Sequence, residues 1–175
     1  MTYQQGIKKA MEELTKDEKV VFIGEGLINA GRIYGTLDGI SKNKCNEMPI
    51  AENLIAGVAI GLALQGFKPV VIFQRMDFML IAADAIINHM VLIPKMSGGK
   101  INLPIIIRAI VGSQKESFCV GEQHNHDFTH IFSPYIPTTR LTLNMNASAY
   151  YDVNTKNPIL VVEDRDRYED ILTYE

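Results

Sequence analysis

Ile50-Ala51-Glu52-Asn53-Leu54-Ile55-Ala56-Gly57-Val58-Ala59-Ile60-Gly61-Leu62-Ala63-Leu64 is a run of apolar and small residues that follows Pro49 and carries one acid, Glu52, near its start. Interrupted by Glu52, Asn53 and Gly57, it falls short of the roughly 20 apolar residues that a membrane span needs, and it predicts a helix buried inside protein. An acid in the first turn of such a helix has two uses. In water it stabilises the helix dipole. In a dry pocket among Ile50, Leu54 and Ile55, burial favours its protonated form while the helix N-terminus favours the charged one; the expectation is that burial prevails and leaves a group able to pass a proton near neutral pH.

Upstream of this helix, Thr2 followed three residues later by Gln5 reads as a capping box. Ile7, Ala10, Met11 and Leu14 share one face, predicting an amphipathic helix from Thr2 to Lys16. A strand follows at Val20 to Ile23. Gly24, Gly26, Gly31, Gly35 and Gly39 then punctuate a long loop of the kind that usually serves a site, and Cys45 to Met48 reads as a short strand leading into Pro49. Downstream, the Glu52 helix ends near Gly66, Pro69 to Phe73 is a strand, and Asp77 caps a second apolar helix reaching Met90. Pro104 to Arg108, Arg140 to Leu143 and Ile159 to Val162 complete the strands. Helices alternating with apolar strands predict an α/β fold, three layers α/β/α around a mostly parallel twisted sheet, in a single domain over residues 1–175.

Composition narrows the partners. With 47% hydrophobic and 21% charged residues the chain has the make-up of a soluble globular domain, and a net charge of −3 without a basic run argues against nucleic acid. No membrane span is predicted. The first residues lack a basic segment followed by an apolar stretch, and the two cysteines, Cys45 and Cys119, are far apart, so a cytoplasmic chain with reduced thiols is expected.

In open sheets of this type the binding crevice lies beyond the carboxyl ends of the strands. The candidate segments are Gly24 to Gly39, Gln74 to Phe78 and Arg108 to His126, with Glu52 on the same rim. Four further patterns compete for attention. His124, His126 and His130, interleaved with Glu122 and Asp127, offer nitrogen and oxygen donors, yet their spacing matches no closed metal site and no cysteine joins them; no metal is expected there. Ser97-Gly98-Gly99-Lys100 lacks the glycine spacing of a phosphate loop and reads as a turn, and Gly24-Glu25-Gly26 is too short for a dinucleotide fingerprint. Asp84 and Asn88, four apart on an apolar helix, read as a buried hydrogen-bonded pair or a subunit contact.

Val21-Phe22-Ile23-Gly24-Glu25, Pro49-Ile50-Ala51-Glu52 with Ala56-Gly57, Gly66-Phe67-Lys68-Pro69-Val70, Asp77-Phe78, Ile86-Ile87-Asn88, Met96-Ser97-Gly98-Gly99, Gln123-His124 and Asn157-Pro158 before Val161-Val162-Glu163 stand in a characteristic order. Through them nearly the whole chain resembles the pyrimidine-binding domain of thiamine diphosphate enzymes, specifically the beta subunit of the decarboxylating component of 2-oxo acid (pyruvate or branched-chain) dehydrogenases. The Met-Ser-Gly-Gly and Gln-His pairs favour that branch over transketolases. The resemblance implies catalytic roles for Glu52 and His124. Glu52 would hydrogen-bond the ring nitrogen of the cofactor's aminopyrimidine and drive its amino group to the imino form that removes the thiazolium proton; His124 would face the substrate, donating to a developing oxyanion or moving a proton. It further implies that Phe78 packs on the aminopyrimidine, that Glu25 lines the entrance to the cofactor channel, and that Gln74 sits near the cofactor.

The same resemblance says what is missing. Leu37-Asp38-Gly39 is not the Gly-Asp-Gly that binds magnesium in this family. The expectation is therefore an alpha-type partner chain that holds Mg2+ and the cofactor diphosphate, an active site at the interface, and self-association. The family's further C-terminal domain is also absent from residues 1–175, as in a natural split subunit or a truncated chain. Gln74 and Arg75 replace a Met and a Thr, Arg108-Ala109-Ile110 replaces an Arg-Gly-Pro loop, and Gln114-Lys115-Glu116 is inserted before His124, all on the substrate side. The segment from Leu143 to Asn157 is short, predicting a stunted helix. Three functions follow: a beta-type subunit acting on a 2-oxo acid, a transketolase-like or synthase relative moving a two-carbon unit, or a non-catalytic module of the same fold.

Overall fold

The computed structural model describes residues 1–29, 31–112, 121–149, 151–152 and 154–173; Cys119 and Gln114-Lys115-Glu116 lie outside the described residues. The first helix, α1 (Tyr3–Leu14), starts as its capping box requires. The Gln5 amide donates to Thr2 Oγ1 at 3.2 Å and the Thr2 amide to Gln5 Oε1 at 2.9 Å, so two donors without intrahelical partners are satisfied at once. Among the described residues six strands form one sheet, β1 (Val20–Gly24), β2 (Cys45–Glu47), β3 (Lys68–Phe73), β4 (Ile106–Val111), β5 (Thr138–Arg140) and β6 (Ile159–Asp164), in the order β2-β1-β3-β4-β6-β5. Every pairing is parallel.

Both faces of the sheet are covered, which explains why the central strands show no polar alternation. Along β3, Val70 and Ile72 join the core under α1, while Val71 and Phe73 join the opposite core under α2 (Glu52–Leu64). No single helix among the described residues is long and apolar enough to cross a membrane.

Three boundaries differ from the sequence reading. β4 begins at Ile106, beyond the expected start at Pro104; the Ile105 amide donates back to the Leu103 carbonyl at 2.8 Å instead of across the sheet. β5 pairs Thr138–Arg140 with Leu160–Val162, ahead of the apolar Leu141 and Leu143 that suggested its position. The expected single helix from Asp77 to Met90 is broken. α3 (Met76–Met79) continues into a 3-10 turn, Leu80–Ala82, then a π-helical stretch, Ala85–Met90, and α4 (Leu92–Met96), with a 64° bend between Met76–Ala82 and Ala85–Met96. Pro94 cannot donate into a continuous helix, and restarting at Leu92 puts it in the first turn, where amides need no intrahelical partner. Between Leu143 and Asn157 the described residues contain one 3-10 turn, Ala147–Ala149.

Arg108-Ala109-Ile110 is not a substrate-side loop: all three lie within β4, and Arg108 is fully buried. Its guanidinium pairs with Glu163, fully buried on the neighbouring β6, through Nε to Oε1 and through Nη2 to Oε2 at 2.9 Å. Nη2 also donates to Thr36 Oγ1 at 2.7 Å; Tyr151 donates to Glu163 Oε1 and Tyr168 to Oε2 at 2.9 Å. Burial, reinforced by the Glu163 charge, pushes both phenols well above the usual tyrosine range, keeping them donors to the carboxylate.

Candidate functional site

Helix α2 begins just past β2, so its first turn stands at the carboxyl end of the sheet. Its N-cap, Ala51, offers no side-chain hydrogen bond, and Glu52 is its first residue. Glu52 is only 5% exposed. It lines a small cleft together with Glu25, Ile55, Ile72, Phe73, Gln74 and Phe78. The expected neighbours are corrected in part: Ile55 is buried beside Glu52, but Ile50 is 84% and Leu54 50% exposed. Two residues along a helix is a turn of about 200°, so Leu54 points away from whatever Glu52 faces.

Glu25 follows β1 directly. One of its oxygens, Oε1, is buried without a hydrogen-bond partner among the described residues. Burial first, then the charges of Glu52 and Glu47, push its carboxyl above the usual range. The loop carrying Glu25 is held from two sides. Glu47, at the end of β2, accepts from the amides of Gly26 at 2.6 Å and Ile28 at 2.9 Å. Gln74 donates through Nε2 to the Glu25 carbonyl at 2.8 Å. That amide lies where a side chain on residue 26 would be: a Cβ there would come within 2.6 Å of Gln74 Nε2 and displace it, and φ is +69°, a backbone that favours glycine.

Phe78 lies in the first helical residues after β3, and its ring borders the cleft. His124 meets that ring edge-on, with centroids 5.4 Å apart at 87°, and its Nδ1 is buried without a partner among the described residues. The structure thus gathers Glu25, Glu52, Gln74 and Phe78 in one cleft and sets His124 against its aromatic wall.

Other sequence candidates disperse. Arg75 is buried with its guanidinium over the Tyr34 ring, 5.2 Å from the centroid, and is not among the residues lining the Glu52 cleft. Asp77 does not cap α3, since Arg75 occupies the N-cap; it binds His126 instead, Oδ1 to Nδ1 at 2.7 Å. Asp127 pairs with Arg140 and accepts from Thr129, so His124, His126 and Asp127 turn to three separate partners; among the described residues no three His, Cys, Asp or Glu side chains are grouped to hold a metal. In the Ser97-Gly98-Gly99 turn the amides of Gly98, Gly99 and Lys100 donate to nearby carbonyls, leaving no cradle for phosphate. Asn88 does donate to Asp84 at 2.8 Å, but the pair is exposed, not buried. Glu47 escaped the sequence reading; an acid closing a short strand just before Pro49 was its only signal.

The pattern that defines the family described as transketolase, pyrimidine binding domain, matches residues 1–117. The chain belongs to that family. Among curated proteins, the pyruvate dehydrogenase E1 component subunit beta of Rickettsia conorii is 29% identical over 178 residues, covering 96% of this chain and 53% of the relative. The mitochondrial protein of the same description from Saccharomyces cerevisiae is 34% identical over 134 residues, 74% of this chain and 36% of the relative. The chain spans about half the length of the first of these, 53%. Among solved structures, that of a split-gene transketolase, an inactive beta4 tetramer, shares the fold with a TM-score of 0.66 at 19% identity, covering 94% of this chain and 52% of that one.

Proposed function

We propose that the chain is the pyrimidine-binding, beta-type half of a thiamine diphosphate enzyme that decarboxylates 2-oxo acids, with Glu52 activating the cofactor. The observation that carries this reading is a buried Glu52 at a helix start, lining one cleft with an aromatic ring and a second acid, the half-buried Glu25, one of whose oxygens is shielded without a partner among the described residues. These residues fit an aminopyrimidine. Glu52 would hold a proton against its ring nitrogen, Phe78 would stack on its flat face, and the unpartnered Glu25 Oε1 would accept from an amino group. Gln74, fixed on the Glu25 carbonyl, keeps that acid in place. His124, with its own orphaned Nδ1, stands where it would hold or move a proton on the substrate side. Bound thiamine diphosphate would supply the nucleophilic carbon for cleaving the bond between carboxyl and carbonyl carbons.

An alpha-type partner chain would hold the diphosphate through Mg2+ and close the cleft. Support comes from the face of α2 turned away from the core. Leu54, Gly57, Gly61 and Leu64, preceded by Ile50, recur at spacings of three and four along an exposed apolar stripe that starts beside Glu52. The identity to pyruvate dehydrogenase beta subunits supports the substrate class.

The test is to combine the chain with an alpha-type subunit, thiamine diphosphate and Mg2+ and to follow carbon dioxide release from a panel of 2-oxo acids. Turnover of at least one acid, nearly abolished by Glu52→Gln, is expected. A fully active Glu52→Gln complex would refute the assignment.

A further inference from the structure

Asp77 and Phe78 are neighbours in the first turn of α3, and each engages one imidazole of the following histidine segment. Phe78 borders the Glu52 cleft and meets His124 edge-on; Asp77 Oδ1 lies 2.7 Å from His126 Nδ1. The dyad is built from both sides. The His126 ring stacks on Phe128, with centroids 5.2 Å apart at 22°, and the Phe128 amide donates to Met76 Sδ at 3.2 Å, tying the stack to α3. Asp77 is nearly buried, its side chain 10% exposed, whereas that of His126 is 47% exposed. With Nδ1 occupied by the carboxylate, Nε2 is the nitrogen left for another partner.

We propose that His126, held by Asp77, is a second proton-transfer residue on the substrate side of the cleft, a role that rests on the decarboxylase reading above. His126 carrying a proton on each nitrogen gives the one on Nε2 to the carbonyl oxygen of the 2-oxo acid as negative charge develops there. The N–H bond breaks, its electron pair stays on nitrogen and an O–H bond forms. The Asp77 carboxylate holds the ring through the Nδ1–H bond throughout, and the neutral ring regains a proton at Nε2 from water on its exposed side. Asp77 is a positioning residue: it selects the tautomer and balances the charge. The other charged groups nearby are engaged elsewhere, Asp127 by Arg140 and Thr129, while His130 tilts against Phe128, 6.4 Å away. His124 keeps its separate place on Phe78.

The experiment uses the assembled enzyme with its alpha-type partner, thiamine diphosphate and Mg2+, with pyruvate as the probe. His126→Gln should lower kcat by about 100-fold, the usual scale for a lost proton-transfer group, and remove one ionisation from the kcat profile against pH. Exchange of the cofactor's thiazolium proton should continue at the wild-type rate. Asp77→Asn should lower kcat less and displace the same ionisation. A His126→Gln profile with every wild-type ionisation intact would overturn the proposal. Failure of the decarboxylase reading shows separately, as thiazolium exchange that Glu52→Gln does not slow. If pyruvate is not turned over, the Nε2 resonance of His126 decides: a shift on adding pyruvate that disappears in Asp77→Asn supports the dyad, and an unmoved resonance in the wild type refutes it.

Discussion

Replacing Arg108 with methionine would strip a fully buried carboxylate of its cation. Glu163 accepts from Arg108 Nε and Nη2, from Tyr151 and from Tyr168, and both members of the ion pair have no exposed side-chain surface. Two phenols would then face a buried, uncompensated charge. Losing one partner of such a pair costs about 3–5 kcal/mol, a large share of the roughly 5–15 kcal/mol that holds a domain together. With a urea slope of about 2 kcal/mol/M, the unfolding midpoint of Arg108→Met should fall by roughly 2 M. Glu163→Gln added to Arg108→Met should recover about 1 kcal/mol or more, because it removes the orphaned charge while keeping an acceptor for one phenol. Circular dichroism in urea on the wild type, both single variants and the double variant completes the cycle. A midpoint shift below about 0.5 M for Arg108→Met, or effects that simply add, would refute the reasoning.

Glu25→Gln should stabilise the chain at neutral pH. Burial and two neighbouring acids raise the Glu25 carboxyl, so the folded state binds the extra proton and wild-type stability falls as pH rises through the raised value. Melting temperatures of the two proteins should converge below the ordinary carboxylate range and separate above it; a wild type more stable at neutral pH would contradict this. Gly26→Ala should cost about 1–2 kcal/mol for its left-handed backbone alone and displace the Gln74 amide, measurable as a lower melting temperature with weaker cofactor binding in the assembled enzyme. Gly57→Leu, on the exposed stripe of α2, should leave the isolated chain at least as stable, since glycine costs about 1 kcal/mol within a helix, yet weaken assembly with the alpha-type chain at least tenfold by ultracentrifugation. Undiminished assembly would place the partner elsewhere.

Much of the fold was legible because the signals are local. Thr2 and Gln5 announced α1, and apolar runs such as Val20–Gly24 and Ile159–Asp164 announced buried parallel strands. The break after α3 was not, because the stretch from Met76 to Met96 is apolar almost throughout and Pro94 alone hinted that the helix must restart. Arg108 was misplaced for a related reason. A charge among isoleucines reads as a strand end unless its partner is known, and Glu163 lies 55 residues away. At the site, Glu52, Glu25, Gln74 and Phe78 were found through motif resemblance, and the structure brings them to one cleft. Which groups face Glu52 was not legible: Ile50 and Leu54 are near it in sequence but turned outward, whereas Ile72 and Phe73 arrive from β3. The His126 pairing with Asp77 crosses 49 positions and left no local trace.

The central claim is that a shielded Glu52 removes the barrier to ionising the cofactor. It is tested most directly by hydrogen–deuterium exchange at the thiazolium carbon of thiamine diphosphate bound to the assembled enzyme, without substrate. Glu52→Gln should bind the cofactor with affinity close to wild type and exchange at least about 100-fold more slowly. Exchange at the wild-type rate in a complex that holds the cofactor would contradict the account.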